Sequence, residues 1–393
     1  MARLSAAVVI PTFERSEFLE PCITSLLDQT RAFEQIIVVD DGSTDATRET
    51  LQRFGDALEV LHTPQLGKSG ALNFAMPKVH ADCVWIFDDD DVAAPDALER
   101  FVEPLEHDPQ CGFTYSTFWY SPAGPDGELL EPTHASEIPN LEHRGFLPCL
   151  LEANFIGGAA LFCRSRLYRE VGEFSPHLLR SQDYEMAIRI ARGYRGLRVR
   201  GGPTFHYRQH PGFRGAREDR FAASRSRAKW LEYDQRFFRQ LYEELPLGDY
   251  LPPDRARATS RRHALLQRAV VMASKDLATE AMRDLRVLAT MGEQSRLPGT
   301  EQELAARLFR PSWYGRGLLS RREMVRELAD LGSRSPVIAQ LCALARRQVR
   351  LELRECLRAR FRQPGGPPEA DPLVPTIARL GSRWLALRAR RGR

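Results

Sequence analysis

Four apolar residues run straight into four carboxylates at Val84-Trp85-Ile86-Phe87-Asp88-Asp89-Asp90-Asp91. The apolar half is too short for a helix and apolar on both faces, as a strand buried inside a parallel sheet is. The carboxylates then stand at the strand's carboxyl end, where open α/β sheets take their ligands. Adjacent anions repel, and a fold that keeps four together calls for a cation. Oxygen-only ligands suit a hard divalent metal, Mg²⁺ or Mn²⁺. The competing reading is a solvated acidic loop, with Asp96 capping the next helix. The buried strand leading into the run favours the metal.

The flanking pattern agrees with such a sheet. Ala6–Ile10 reads as a strand stopped by Pro11. Ser16 is placed to cap a helix whose apolar face is Phe18, Leu19, Cys22, Ile23, Leu26 and Leu27, with Pro21 inside it. Gln35–Val39 and Leu58–Leu61 read as strands, and helices are expected from Asp45 to Phe54 and over Ser69–Met76. A helix follows Pro95. Strands alternating with helices at a spacing of about 25 residues predict βαβ units and a mostly parallel sheet. Further on, Gly112–Tyr120 and Gly158–Cys163 read as strands, and Ser121–Arg144 as a long Pro/Gly/Glu-rich loop of the kind that carries function. Ser181–Arg192 is helical, Leu197–Arg200 and Thr204–Arg208 are short strands, and Arg220–Leu245 is an amphipathic helix. Leu245–Asp254, with three prolines, reads as a linker. Beyond it Ala264–Met272, Leu277–Met291, Glu301–Phe309, Arg321–Leu331 and Val337–Phe361 are helical, followed by a Pro/Gly-rich stretch and a basic tail.

A chain of 393 residues is long for one domain. Charge supports a division into 1–246 and 247–393: the first part carries 27 Lys+Arg against 37 Asp+Glu, the second 29 against 15. The seven cysteines are scattered without metal spacing and imply reduced core thiols in a cytoplasmic protein. The N-terminus reads as a first strand rather than a signal peptide. No apolar run approaches the ~18 residues that span a bilayer. Gly67-Lys68-Ser69 ends like a phosphate-binding P-loop, but His62 stands where that pattern needs glycine.

Six segments in order resemble the inverting glycosyltransferases of family 2. They are Val9-Ile10-Pro11-Thr12-Phe13-Glu14-Arg15; Val38-Val39-Asp40-Asp41-Gly42-Ser43-Thr44-Asp45; Leu66-Gly67-Lys68-Ser69-Gly70-Ala71-Leu72-Asn73; Asp88–Asp91 with Pro95; Val171-Gly172-Glu173-Phe174 with Ser181-Gln182-Asp183-Tyr184-Glu185; and Tyr207-Arg208-Gln209-His210. The resemblance covers roughly residues 5–245. It implies an α/β GT-A fold, Rossmann-like with a mostly parallel central sheet, followed by a mostly α-helical C-terminal domain. It further implies a nucleotide-diphosphate-sugar donor, UDP-linked, a hydroxyl acceptor, and a place in polysaccharide or glycoconjugate biosynthesis. By the same resemblance Pro11, Thr12, Phe13 and Arg15 line the base and ribose, and Asp40 or Asp41 accepts a hydrogen bond from the base. Lys68 lies near the nucleotide. Asp88 and Asp90 hold the metal of the diphosphate, with Asp89 beside them and the register uncertain by one. Arg208 and His210 reach the diphosphate or metal from a mobile loop, and Asp183 is the general base. Glu14 stands where the family often has Asn, and Gln182 where it usually has Glu.

The chemistry is consistent with this. Breaking a sugar–diphosphate bond leaves negative charge that a metal and cationic side chains stabilise. Inverting displacement then needs one general base at the acceptor hydroxyl. A nucleotidyltransferase is the enzymatic rival, but it would carry a Gly-rich basic loop after the first strand, and Pro11–Arg15 has no glycine. A non-catalytic scaffold is the other rival, disfavoured by Asp88, Asp90 and Asp183 together. Nucleic acid is not expected, for want of a motif. Val337–Phe361 pairs an apolar stripe with crowded arginines. It is either a peripheral contact with an anionic membrane at its inner face or, the preferred reading, a helix packed in a C-terminal bundle or a homodimer.

Overall fold

The computed structural model describes residues 3–210, 213–214, 221–222, 225–252, 260–291, 296–309, 318 and 321–362. The chain forms two compact units, 1–142 with 154–233, and 143–153 with 234–393.

The first unit begins β1 (Ala6–Thr12), α1 (Ser16–Leu27), β2 (Gln35–Asp40), α2 (Thr47–Gln52), β3 (Glu59–His62), α3 (Gly67–Ala75), β4 (Cys83–Ile86). It continues through β5 (Val92–Ala93), α4 (Ala97–His107), β6 (Cys111–Tyr115), β7 (Trp119–Pro122) and β8 (His134–Ala135). Next comes α5 (Phe146–Glu152), which belongs to the second unit. Then follow β9 (Leu161–Arg164), α6 (Arg166–Val171), α7 (Gln182–Gly193), β10 (Arg195–Arg198) and β11 (Phe205–Gln209). Phe213–Arg214 and Phe221–Ala222 form a small antiparallel pair, β12 and β13.

Seven strands make the main sheet in the order β10-β6-β9-β4-β1-β2-β3. Only β9 runs against its neighbours, β4 and β6; β1 is parallel to both β2 and β4. Every residue of β1 and β4 is buried, as their unbroken apolar runs require. From β1 the chain steps outward to β2 and β3, then returns to lay β4 on β1's other side. The carboxyl ends of β1 and β4 thus flank the switch point, where such sheets open a crevice.

Several expectations are corrected in detail. β1 continues through Pro11, which pairs in register with Val39 of β2. The Phe87 N–H donates to the Val9 carbonyl, so odd-numbered residues of β1 face β4. The amide hydrogen that Pro11 lacks would point to that side, where the ladder has already ended. Proline therefore stops pairing on one edge only. In α1, Ser16 makes no side-chain cap; the Asp45 carboxylate accepts its N–H instead, at 3.2 Å. Leu27 is exposed, while the other five apolar residues are buried. Gly112–Tyr120 is two strands in two sheets. At Ser116 and Thr117 the backbone leaves β9 for the segment before β11: Ser116 N–H donates to Ala160, and Thr204 N–H to Thr117. β7 then joins a second sheet, β5-β11-β7-β8. The short helices α5 and α6, of seven and six residues, carry too few turns for periodicity to reveal. Arg220, the expected start of the amphipathic helix, lies outside the described residues.

That helix, α8 (Ser226–Glu244), leads from the first unit into the second. The second unit holds α9 (Ser260–Ser274), α10 (Ala278–Thr290), α11 (Gly299–Leu308), α12 (Arg322–Arg334) and α13 (Pro336–Arg362). Ile338, Leu341, Ala345 and Val349 of α13 are buried, and α13 packs on α11 and α12. The side chains of Leu353, Leu357 and Phe361 lie outside the description. Among the described residues no helix is long and apolar enough to cross a membrane. The six cysteines described are buried and unpaired by disulfides.

Some of the second unit's basic surplus is internal. The Arg268 guanidinium lies 4.2 Å from the Tyr242 ring centroid and donates to both Asp284 oxygens, at 2.7 and 3.0 Å. Arg262 pairs with buried Glu301 at 2.8 Å. Lys275, wholly buried, lies 3.4 Å from Asp234 and 4.7 Å from the Phe238 ring centroid. Burial pulls the Lys275 pKa down, and Asp234 holds it up. Removing one member of such a pair takes a charge partner from the other inside the core. Lys275→Met is expected to cost ~3–5 kcal/mol in urea unfolding, and the double change with Asp234→Leu to recover most of it. A single variant as stable as the native chain would show that the pair contributes nothing.

Candidate active site

Crowded charge is resolved by sending the four aspartates to different partners. Asp88 forms an ion pair with Lys68. Asp89 turns inward, and burial pushes its carboxyl up to about 7 against the pull of Arg15. The Asp90 carboxylate meets Arg15 Nη1 at 3.4 Å and His210 Nε2 at 3.1 Å. Asp91, 1% exposed, accepts the Arg208 backbone N–H through Oδ1 at 3.0 Å. Its Oδ2 is buried with no hydrogen-bond partner, and burial raises this carboxyl well above the usual range.

An oxygen from each of Asp88, Asp90 and Asp91 lies within 4.8 Å of the others. Three convergent carboxylate oxygens fit a hard divalent cation, and the carboxylate of Asp91 has a buried oxygen with no hydrogen-bond partner. The expected ligands Asp88 and Asp90 are brought together, with an oxygen of Asp91, from the same run whose register the sequence left open by one, as a third. Nothing within a run of four identical residues separates the third from the fourth.

The cationic side gathers on one aromatic ring. Phe18, on the first turn of α1, lies 4.9 Å from the His210 ring, with Arg208 at 5.2 Å and Arg15 at 5.7 Å. A ring's negative face attracts such groups. Phe18 was read from periodicity only as core. Arg208 lies in β11 rather than on a loop. It is 1% exposed, donates from Nε to the Asp90 carbonyl at 2.7 Å, and bonds the Gly127 carbonyl. His210 follows directly after β11, mostly buried, with Arg15 Nη1 2.9 Å from its Nε2.

Beside these, Pro11 and Thr12 are buried at the end of β1, and Phe13 and Arg15 are half-buried. Glu14 adopts φ 51°, a left-handed conformation that Asn tolerates better than Glu. The bonds between Thr44 Oγ1 and Glu14 Oε1 (2.7 Å) and from Glu14 N–H to Ser43 Oγ (2.9 Å) hold it there. Asp40 is buried, accepts the Ser43 N–H, and faces His62. Asp41 accepts from the Thr63 hydroxyl and from the N–H groups of Leu66 and Gly67, at 2.5, 2.7 and 2.7 Å. It thereby anchors the first turn of α3 and sets Lys68 in place.

Asp183 is the second residue of α7 and half-buried. Ser181, before the helix, has φ 59° and makes no side-chain cap. A methyl group on Gly158 would lie 3.0 Å from Asp183 Oδ2, so only glycine lets the carboxylate sit there comfortably. Burial raises the Asp183 pKa, Lys68 opposes it, and Asp88 adds to it. Burial also works against the Lys68 charge, but Asp88 and Asp183 outweigh it and hold the ammonium above the ordinary lysine range. The Lys68 charge thus acts on both Asp88 and Asp183. Asn73, further along α3, clamps the Phe174 backbone, donating at 2.9 Å and accepting at 2.8 Å. That clamp explains an Asn in the third segment, to which sequence reasoning gave no role.

Residues 7–169 match the family model for glycosyl transferase family 2. The putative teichuronic acid biosynthesis glycosyltransferase TuaG of Bacillus subtilis is 32% identical over 136 residues, 33% of this chain and 53% of that one. An uncharacterized glycosyltransferase of Rickettsia felis is 26% identical over 190 residues, 47% of this chain and 31% of its own length. The chain thus spans between a third and about half of these relatives. Among solved structures, S. aureus TarS 1-349 in complex with UDP-GlcNAc overlays with TM-score 0.50 at 14% identity, covering 98% of this chain and 92% of that one. The fold is GT-A, and the similarity to family 2 glycosyl transferases lies in residues 7–169.

Asp90→Asn relieves repulsion among the carboxylates while losing the Arg15 contact, so apo stability should change by no more than about 1 kcal/mol. The rise in melting temperature produced by Mn²⁺ with UDP in the native protein should disappear. An undiminished rise would take the metal away from Asp90.

Proposed function

We propose that the chain is an inverting, metal-dependent glycosyltransferase. It would move a sugar from a nucleotide-diphosphate donor, UDP-linked, to an acceptor hydroxyl. The observation that carries this reading is the convergence of Asp88, Asp90 and Asp91, with oxygens spaced for a cation, at a strand end where Asp88 is ion-paired with Lys68. A single half-buried carboxylate, Asp183, also acts on the Lys68 charge. A hydrolase of glycosidic bonds would instead need two carboxylates flanking the scissile bond.

Pro11, Thr12 and Phe13 stand at the crevice edge where base and ribose would lie, with Asp40 behind them. Asp88, Asp90 and Asp91 would hold the divalent ion, and His210 stands next to Asp90. Bound there, Mg²⁺ or Mn²⁺ supplies positive charge to the leaving diphosphate. Arg15 and Lys68 add cationic donors on the same side. Asp183 accepts the proton of the acceptor hydroxyl as that oxygen bonds to the anomeric carbon. The bond from that carbon to the diphosphate breaks, and its electron pair leaves on the phosphate oxygen. One displacement inverts the configuration. The absence of a glycine-rich basic loop after β1 and the family match over residues 7–169 weigh against a nucleotidyltransferase.

Asp183→Asn keeps the size and helix-end polarity but takes no proton. It should bind UDP and Mn²⁺ normally and lose on the order of 10²-fold or more in transfer rate. Near-native turnover in a folded Asn variant would transfer the role to another carboxylate, Glu185 first. Because Asp183 must be ionised, and burial raises its pKa, activity should fall on the acid side. The midpoint of kcat/KM should lie above the ~4 of an exposed aspartate. A midpoint at or below that value would separate the acid limb from Asp183.

A further inference from the structure

From the hairpin that follows β7 we infer an autoinhibitory clasp, in which the Gly127 carbonyl holds the Arg208 guanidinium until an anionic oxygen of a diphosphate displaces it. The inference rests on the transferase reading above and adds a regulation of the same site. The base of the hairpin, 123–129, is fixed. Ala123 bridges Leu129, the Ala123 N–H donates to the Gln209 carbonyl at 2.8 Å, and the Leu130 N–H to the Pro122 carbonyl at 2.9 Å. The tip, 124–128, is bonded mainly to itself. Gly124 N–H donates to the Glu128 carbonyl, Gly127 N–H to the Gly124 carbonyl, and Asp126 N–H to the Glu128 carboxylate. Pro125, Asp126 and Glu128 are exposed. Among the described residues the tip's hydrogen bond to the rest of the fold is the one from Arg208 to the Gly127 carbonyl. Such a tip can swing as a unit on its base.

Gly127 also lies against Phe18. Its φ is +78°, and a methyl group there would stand 3.2 Å from a ring carbon of Phe18. Glycine takes this conformation freely and leaves the close approach open. The ring is the one beside which Arg15, Arg208 and His210 gather. The tip thus reaches the cationic side of the site through one backbone unit, with no side chain to fix it there.

The closed contact leaves Arg208 under-satisfied. The residue is 1% exposed, its Nε and Nη1 meet neutral carbonyls of Asp90 and Gly127, and its Nη2 is buried with no hydrogen-bond partner. A buried donor without an acceptor is costly, and a bond to an ionised acceptor is stronger than one to a neutral carbonyl. The neighbouring carboxylates are engaged elsewhere: Asp91 accepts the Arg208 backbone N–H, and Asp90 meets Arg15 and His210. Phosphate oxygens in place of the carbonyl would accept from Nη1 and Nη2 together, in the fork geometry a guanidinium offers. The competition is between a neutral and a charged acceptor, so the clasp yields to a diphosphate and not to a nucleoside. Two carboxylates on the tip, Asp126 and Glu128, favour its departure once a diphosphate is near. The bond from Nε to Asp90 can persist throughout, so opening the clasp leaves β11 in place.

The test is a crystal structure of the full chain with UDP and Mn²⁺, together with titrations of Gly127→Ala. In the complex an Arg208 Nη should bond a phosphate oxygen, and the Gly127 carbonyl should stand beyond hydrogen-bond reach. The added methyl crowds Phe18 in the closed state alone. The variant should therefore bind UDP with Mn²⁺ about 3- to 10-fold more tightly than the native chain, and uridine equally. A near-native melting temperature certifies the variant; should it not fold, the complex of the native chain decides. A retained bond from Arg208 to Gly127 in the complex overturns the inference, as does a folded variant whose gain is absent or equal for uridine and UDP. Binding of UDP with the clasp still shut sinks the clasp alone. No binding of UDP with Mn²⁺ by either protein sinks the donor reading and the clasp with it.

Discussion

Four carboxylates at the end of one buried strand cannot share the same surroundings, and the first unit is arranged around keeping them apart. Asp88 goes to Lys68, Asp90 to Arg15 and His210, and Asp91 to a backbone N–H of β11. Asp89 is buried and raised to about 7. Each partner comes from a different place: Arg15 follows β1, Lys68 starts α3, and Arg208 and His210 lie in or after β11. Repulsion that would unfold a loop thus becomes the reason that four separate segments converge.

The convergence is mechanical as well as electrostatic. Asp41 holds the start of α3 through two backbone N–H groups, and Asn73 ties the same helix to Phe174 on the way to Asp183. Lys68 is therefore positioned from both ends of its helix. Arg208 bonds the carbonyls of Asp90 and Gly127 and so fixes β11 to the aspartate turn, while its Nη2 is buried with no hydrogen-bond partner. Its burial costs hydration, which is why its charge is held close to several acceptors and the Phe18 ring.

The second unit uses ionic groups differently. Arg262, Arg268 and Lys275 are paired with Glu301, Asp284 and Asp234 inside a helical core. Such pairs add little net stability over apolar residues, yet they are costly to break singly. A basic composition therefore does not translate directly into a basic surface, and the arginines of α13 cannot be judged by counting alone.

Much of the first unit was legible because its signals are local. A buried strand is a short run of apolar residues, a helix repeats every three to four, and the order of six motifs survives without any knowledge of packing. The parallel sheet, the placement of Asp88 at its carboxyl edge and the family resemblance followed from these. What the sequence could not decide is which atoms face one another. Whether Pro11 ends a strand depends on which neighbour its missing N–H would meet. Whether Ser16 caps α1 depends on Asp45 arriving first. The run 112–120 divides between two sheets because its hydrogen-bond partners change at Ser116. Arg208 and His210 against Phe18, and Gly158 under Asp183, are contacts across long stretches of chain. They exist only once the chain has closed, because composition and periodicity carry no distance between residues remote in sequence.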